Sequence, residues 1–111
     1  WKWSVIDLMC QLDPAIKEEI IACCKKYHVD KVILFGSRAR GDNGPYSDID
    51  LAIEGADDFD RLFAELKYNE FTLLDMDIIN LNDRVSELLM KDISHDGCIL
   101  YRKGREHEPE N

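Results

Sequence analysis

The sequence predicts an α/β domain in which a small mixed β-sheet is flanked by helices. Some segments have apolar residues at the three-to-four-residue spacing of a helix. Between them lie short runs that are typical of strands, in which apolar residues are either continuous or separated by single polar residues. The length of 111 residues is enough for one core but not for a second substrate-binding domain. We therefore expect a single domain over residues 1–111, with its core at about 13–101 and a polar tail at 104–111.

Three segments are predicted to form helices, and each follows a residue type that favours helix starts. The predicted N-caps are, in chain order, Asp13, Asp57 or Asp58, and the pair Asn82–Asp83. The first helix has Pro14 at its first position and is expected to end near His28.

Four segments are predicted to form strands, at residues 32–35, 48–54, 71–81 and 98–101. The second of them alternates, so that one set of side chains should share a face: Asp48, Asp50 and Ala52. The opposite face should carry Ile49, Leu51 and Ile53.

The charge balance is acidic, with 14 Lys and Arg against 23 Asp and Glu and a net charge of −9. Proteins that bind nucleic acid directly usually carry the opposite sign, because phosphate contacts dominate their affinity. The same surface would repel a nucleotide, so a cation is expected to mediate any phosphate binding.

The chain contains four cysteines with no CxxC pair, so a zinc site is not predicted. With no signal peptide visible, we interpret them as buried thiols of a cytoplasmic protein. No apolar run reaches the roughly 18 residues that a membrane span requires.

Gly36 and Ser37 directly follow a predicted buried strand. Glycine allows a sharp turn and the close approach of a ligand, and backbone N–H groups in such turns bind phosphate. No lysine follows at the spacing of a Walker A loop. The pair is by itself weak evidence, since it occurs in many turns.

Asp48 and Asp50 lie two apart on a strand, so their carboxylates should leave the same face. Two carboxylates this close repel one another unless a cation lies between them, and magnesium prefers oxygen ligands. The alternative is that both are merely solvated on the polar face of a half-exposed strand.

Asp75 and Asp77 interrupt an otherwise apolar strand, where an unpaired charge would be costly. If this strand lies beside the second, three or four carboxylates converge on one patch. Such a patch facing a phosphate-binding turn suits phosphoryl chemistry with two metal ions.

The order Gly36-Ser37, ten residues, Asp48-Ile49-Asp50 and a later strand Asp resembles the polymerase-beta-like nucleotidyltransferase superfamily. Within it, the chain is similar to the minimal nucleotidyltransferases, the antitoxins of HEPN toxin–antitoxin pairs. The resemblance covers residues 13–101 and implies a nucleotidyltransferase-like minimal fold.

The resemblance implies that Asp48 and Asp50 bind two Mg²⁺ ions and that a third-strand Asp binds the catalytic one. Asp77, which precedes Ile78-Ile79, fits that role better than Asp75, although both stay open. Gly36 and Ser37 would hold the triphosphate tail of ATP. Arg38 and Arg40 are candidates for contacts with it, and because they lie two apart only one is expected to reach.

The implied activity is transfer of AMP from ATP to a hydroxyl on a partner protein, expected to be a HEPN ribonuclease toxin. The alternative is a binding antitoxin without catalysis that neutralises its partner by contact. Adenylylation of a small molecule is disfavoured, because the chain has no second domain. The oligomeric state is left open.

Overall fold

In this computed structural model, residues 11–104 are described. Along them, helices and strands follow one another as α1 (Pro14–Lys26), β1 (Lys31–Phe35), α2 (Ser37–Arg40), β2 (Ile49–Glu54), α3 (Phe59–Lys67), β3 (Met76–Asn80), α4 (Glu87–Asp96) and β4 (Cys98–Arg102). From residue 105 onward, the predicted polar tail lies outside the described residues.

The four strands form one sheet in the order β3-β2-β1-β4. β1 is antiparallel to both β2 and β4, whereas β2 and β3 are parallel and joined through α3. The predicted small mixed sheet flanked by helices is confirmed. Because β2 and β3 run in the same direction, the residues at their starts lie side by side at one edge of the sheet.

Apolar side chains cover the sheet on both faces. The larger cluster contains buried residues of α1, α3 and the strands, among them Ile20, Leu62, Leu51, Ile53 and Ile78. The smaller cluster packs α4 against the other face through Ile33, Phe35, Ala52 and Ile93. Asp50 alternates with the residues of the larger cluster, so it lies on the face that α4 covers only in part.

The helix starts follow the expected chemistry, with one correction. The side chain of Asp13 accepts a hydrogen bond from the Ala15 N–H at 2.8 Å, and Asp58 rather than Asp57 caps α3. The prediction that Asn82–Asp83 caps the last helix is wrong, because Ser86 caps it. The Asn82 side chain instead accepts a hydrogen bond from the Gly55 N–H at 2.8 Å.

The third strand is shorter than predicted. It begins at Met76 rather than at residue 71, because local side chains capture the backbone before it. The side-chain oxygen Oδ1 of Asn69 accepts hydrogen bonds from the backbone N–H groups of Phe71 and Thr72 at 2.9 and 3.0 Å. Such side-chain bonds compete with sheet pairing.

The interpretation of all four cysteines as thiols is wrong for Cys98, which is disulfide-bonded. Cys23 and Cys24 are free. Burial raises the pKa of Cys24 to about 12, so this thiol stays protonated and packs as a small apolar side chain. Within residues 11–104, no helix is both long enough and apolar enough to cross a membrane.

Candidate active site

The turn after β1 has a backbone conformation that glycine alone adopts readily. Gly36 has φ 76° and ψ −155°, a region almost closed to residues with a side chain. Its carbonyl accepts hydrogen bonds from the N–H groups of Ala39 and Arg40, both at 3.1 Å. The Ser37 carbonyl accepts from Gly41 at 2.8 Å and from Asp42 at 3.1 Å. The turn is therefore closed by its own backbone.

The carboxylate of Asp50 lies against this turn. A Cβ placed on Gly36 would be 2.1 Å from Oδ2 of Asp50. Asp50 is also the antiparallel partner of Phe35, the residue before Gly36. The pairing of β1 with β2 thus brings to the Gly-Ser turn a carboxylate that lies fourteen positions after Gly36 in the chain.

The parallel pairing of β2 with β3 places Asp77 directly opposite Asp50. Paired residues of neighbouring strands share a face, so both carboxylates leave the sheet on the same side. Asp75 precedes the strand, and its backbone carbonyl accepts a hydrogen bond from the Ile49 N–H at 2.9 Å. The structure thus brings Asp77, of the two candidates, into register with Asp50.

The electrostatics of Asp50 show that these groups interact. Burial raises the pKa of Asp50 to about 6, and the negative charges of Asp77 and Asp48 add to the effect. The positive charge of Arg40 acts in the opposite direction. The carboxylate of Asp50 therefore interacts electrostatically with two other carboxylates and with one guanidinium at this edge of the sheet.

The two arginines of the turn have different surroundings. Arg40 is partly exposed, and its Nε lies 3.2 Å from the Asp42 carboxylate. Arg38 is only 6% exposed, and its guanidinium faces backbone carbonyls. Of the two candidates for a phosphate contact, Arg40 is the one with an accessible charge near the carboxylates, and its role stays a prediction.

A family model described as "Polymerase beta, Nucleotidyltransferase" matches residues 18–106, which include the turn, β2 and β3. The chain belongs to this nucleotidyltransferase family. A curated relative from Methanocaldococcus jannaschii, assigned by name as a protein adenylyltransferase, is 35% identical over 97 residues. That match covers 80% of this chain and 97% of the relative.

Solved structures share the fold of this nucleotidyltransferase. A chain of a toxin–antitoxin crystal structure with AMP-PNP superposes with a TM-score of 0.58 at 22% identity, covering 81% of this chain and 76% of that one. A chain from the tri-AMPylated Shewanella oneidensis HEPN toxin in complex with MNT antitoxin gives 0.52 at 20% identity, covering 81% and 72%. At these identities the likeness shows the fold.

The donor set of this nucleotidyltransferase fits a magnesium ion in its chemistry. Asp48, Asp50 and Asp77 supply only oxygen ligands, and their mutual repulsion is what a divalent cation would relieve. Across residues 11–104, however, no group of three or more aspartate, glutamate, histidine or cysteine side chains is arranged so that it could hold a metal ion by itself. A magnesium ion held by one or two carboxylates commonly completes its coordination with water and substrate phosphate oxygens.

Sequence reasoning predicted the carboxylates but missed the burial of Arg38. α2 has only four residues, too few for a hydrophobic period to show which side chains face inward. Nothing in Ser37-Arg38-Ala39-Arg40 distinguishes the two arginines until the loop that follows α2 is placed over one of them.

Proposed function

We propose that this chain is a magnesium-dependent adenylyltransferase that moves AMP from ATP onto a hydroxyl of a partner protein. The observation that carries the proposal is the position of Asp50, which lies against the Gly36 turn and opposite Asp77. Carboxylates beside a Gly-Ser turn suit the binding of a triphosphate together with a divalent cation. The adenylyltransferase name of the M. jannaschii relative supports the same activity.

The proposed partner is a HEPN toxin, for which this chain would act as the antitoxin. Support comes from the toxin–antitoxin structures that share the fold, one of them with AMP-PNP and another with a tri-AMPylated HEPN toxin. ATP is accordingly the proposed substrate. The proposed location is the cytoplasm, where ATP and the RNA targets of such a toxin occur together.

In this proposal Asp48, Asp50 and Asp77 hold two Mg²⁺ ions. Bound there, magnesium would neutralise the triphosphate and stabilise the charge that develops on the transferred phosphoryl group. The N–H groups around Gly36 and Ser37, together with the Ser37 hydroxyl, bind the β- and γ-phosphates. Arg40 adds a positive charge next to the same phosphates.

The reaction forms a bond between the acceptor oxygen and the α-phosphorus, and the bond from that phosphorus to the bridging oxygen of the β-phosphate breaks. AMP remains on the acceptor and pyrophosphate leaves. In this proposal Asp77, whose side chain is exposed, would take the proton of the acceptor hydroxyl.

The test is label transfer from α-³²P-ATP, in the presence of Mg²⁺, to a HEPN-domain protein offered as the partner. Wild type is compared with the double variant Asp48→Ala, Asp50→Ala. The matched control removes two exposed carboxylates elsewhere, through Asp60→Ala and Asp92→Ala. Label on the partner with wild type and control, but not with the double variant, is the expected result.

The competing function, neutralisation by contact, gives a different result. In that case the toxin's ribonuclease activity is inhibited equally by wild type and by the Asp48, Asp50 double variant, and no label appears on the toxin. That outcome would overturn the transferase proposal.

A further inference from the structure

We propose that Arg38 is a positioning residue, which holds the loop before Asp48 and so sets the place of that carboxylate relative to the Gly36 turn. The inference deepens the proposed function and rests on it for the catalytic consequence. Arg38 touches no part of the proposed site itself and acts through the backbone.

The guanidinium of Arg38 reaches three carbonyl oxygens. Its Nε donates to the Ser47 carbonyl at 3.1 Å, Nη1 to the Gln11 carbonyl at 3.0 Å and Nη2 to the Pro45 carbonyl at 3.4 Å. Ser47 immediately precedes Asp48. The Arg38 side chain, next to Ser37, therefore holds the backbone immediately before Asp48.

The loop from residue 41 to residue 47 is attached to α2 at both of its ends. At its start, the N–H groups of Gly41 and Asp42 donate to the Ser37 carbonyl. Near its end, the Arg38 guanidinium holds Pro45 and Ser47. Breaking the contact at Arg38 would leave the loop attached to α2 at its start alone, and Ser47, the residue before Asp48, would lose its bond to α2.

The segment before α1 is joined to the same arginine in both directions. The Gln11 N–H donates to the Arg38 carbonyl at 2.7 Å, while the Gln11 carbonyl accepts from Nη1. Gln11 thus binds both the backbone and the side chain of Arg38, so the guanidinium is oriented before any ligand binds. Such preorganisation is what a positioning residue provides.

Burial of a guanidinium costs desolvation free energy, so a buried arginine is favoured over an apolar side chain only where its hydrogen bonds are needed. Among residues 11–104, the ion pairs involve other side chains, and the charge of Arg38 is balanced by carbonyl dipoles. The charge that acts on Asp50 is that of Arg40. The two arginines therefore have different roles. Arg40 acts on Asp50 through its charge, and Arg38 holds backbone carbonyls through the several N–H groups of its guanidinium.

The dependence on the guanidinium fork predicts that even a conservative change at position 38 weakens the site. Lysine keeps the charge but has a single nitrogen, which cannot reach carbonyls on three separate segments. We expect Arg38→Lys to lower kcat and to raise the Mn²⁺ dissociation constant about tenfold or more, as removal of supporting contacts does at metal sites. Arg84→Lys, an exposed arginine outside the proposed site, should leave the Mn²⁺ dissociation constant within about twofold of wild type.

The experiment titrates each variant with Mn²⁺ alone by calorimetry and follows amide hydrogen exchange of residues 42–48. Arg84→Lys, an exposed arginine beyond the far end of β3, is the matched control. Faster exchange confined to residues 42–48 with weaker Mn²⁺ binding in Arg38→Lys supports the proposal. Guanidinium chloride at low millimolar concentration should restore part of the Mn²⁺ affinity of Arg38→Ala.

If Arg38→Lys binds Mn²⁺ as wild type does and only its melting temperature falls, Arg38 is a packing residue and the proposal is overturned. Should Arg38 variants not fold, Ser47→Ala tests the same loop, because it removes the 2.8 Å hydrogen bond from the Gly44 N–H to the Ser47 hydroxyl. Unchanged Mn²⁺ affinity and exchange in Ser47→Ala would then count against the proposal. Both readouts are independent of AMP transfer, so failure of the proposed function would show separately, as an absence of label with wild type.

Discussion

The Asp50 carboxylate occupies the space beside Gly36 that any side chain at position 36 would need. The two are delivered by neighbouring antiparallel strands, and a Cβ on Gly36 would lie 2.1 Å from Oδ2 of Asp50. The glycine of the turn therefore has two roles, because it permits a positive φ and it makes room for a carboxylate.

Gly36→Ala should consequently cost more than the backbone penalty alone. Gly104 is a matched control, since it also has a positive φ of 89° but nothing lies within 4 Å of its Cβ position. We expect Gly104→Ala to lower the free energy of unfolding by about 1 kcal/mol and Gly36→Ala by about 3 kcal/mol. Urea denaturation measures both.

The clash itself is isolated by a second change. In an Asp50→Ala background the cost of Gly36→Ala should fall toward that of Gly104→Ala, because the carboxylate no longer occupies the space. An equal cost with and without Asp50 would show that backbone conformation accounts for the whole effect.

The register of β2 and β3 predicts which aspartate of the third strand is functional. Asp77 lies opposite Asp50, whereas Asp75 precedes the strand, and both are exposed. Asp77→Asn should reduce AMP transfer by at least about a hundredfold, while Asp75→Asn should keep it within a few-fold of wild type. Because neither side chain is buried, both variants should fold. Greater loss in Asp75→Asn would exchange the assignments.

The raised pKa of Asp50 makes stability depend on pH in a stated direction. Its pKa is 3.8 when unfolded and about 6 in the folded chain, so between these values the folded state holds the proton more tightly. The stabilisation that Asp50 contributes to the folded state is therefore fully present below pH 3.8 and is lost as the pH rises through about 6.

Asp50→Asn should accordingly stabilise the protein at pH 8 in EDTA, by about 1 kcal/mol after allowance for solvent screening. The difference from wild type should vanish below about pH 4, where both side chains are neutral. Asp60→Asn, an exposed aspartate on α3, serves as the control and should give a curve parallel to that of wild type. A variant less stable than wild type at pH 8 would contradict the prediction.

Arg40 should affect both the pKa of Asp50 and the binding of the ATP phosphates. Its charge lowers the pKa of Asp50, so Arg40→Gln should move that pKa above about 6. Carboxyl carbon NMR in the metal-free protein measures the shift directly. The same variant should raise KM for ATP several-fold, whereas Arg40→Lys should stay near wild type in both measurements. An unchanged pKa in Arg40→Gln would show that its charge does not reach Asp50.

Local sequence was sufficient for much of the fold. Asp13-Pro14 started α1, and the buried run at 32–35 and the alternation at 48–54 appeared as β1 and β2. The start of β3 was placed too early, because Asn69 and Thr72 bond to the backbone in a way that apolar content does not reveal. The cap of α4 was misplaced for a related reason, since Asn82 binds the backbone of Gly55, which is distant in sequence.

The residue types of the site were evident from the sequence, since spacing by two already puts Asp48 and Asp50 on one face. Only the tertiary structure decided that Asp77 rather than Asp75 stands opposite Asp50, because strand register depends on pairing between segments far apart in the chain. It also separated Arg38 from Arg40, because burial of one guanidinium depends on a loop folding over it. Local chemistry thus selected the groups, and long-range packing determined which of them meet.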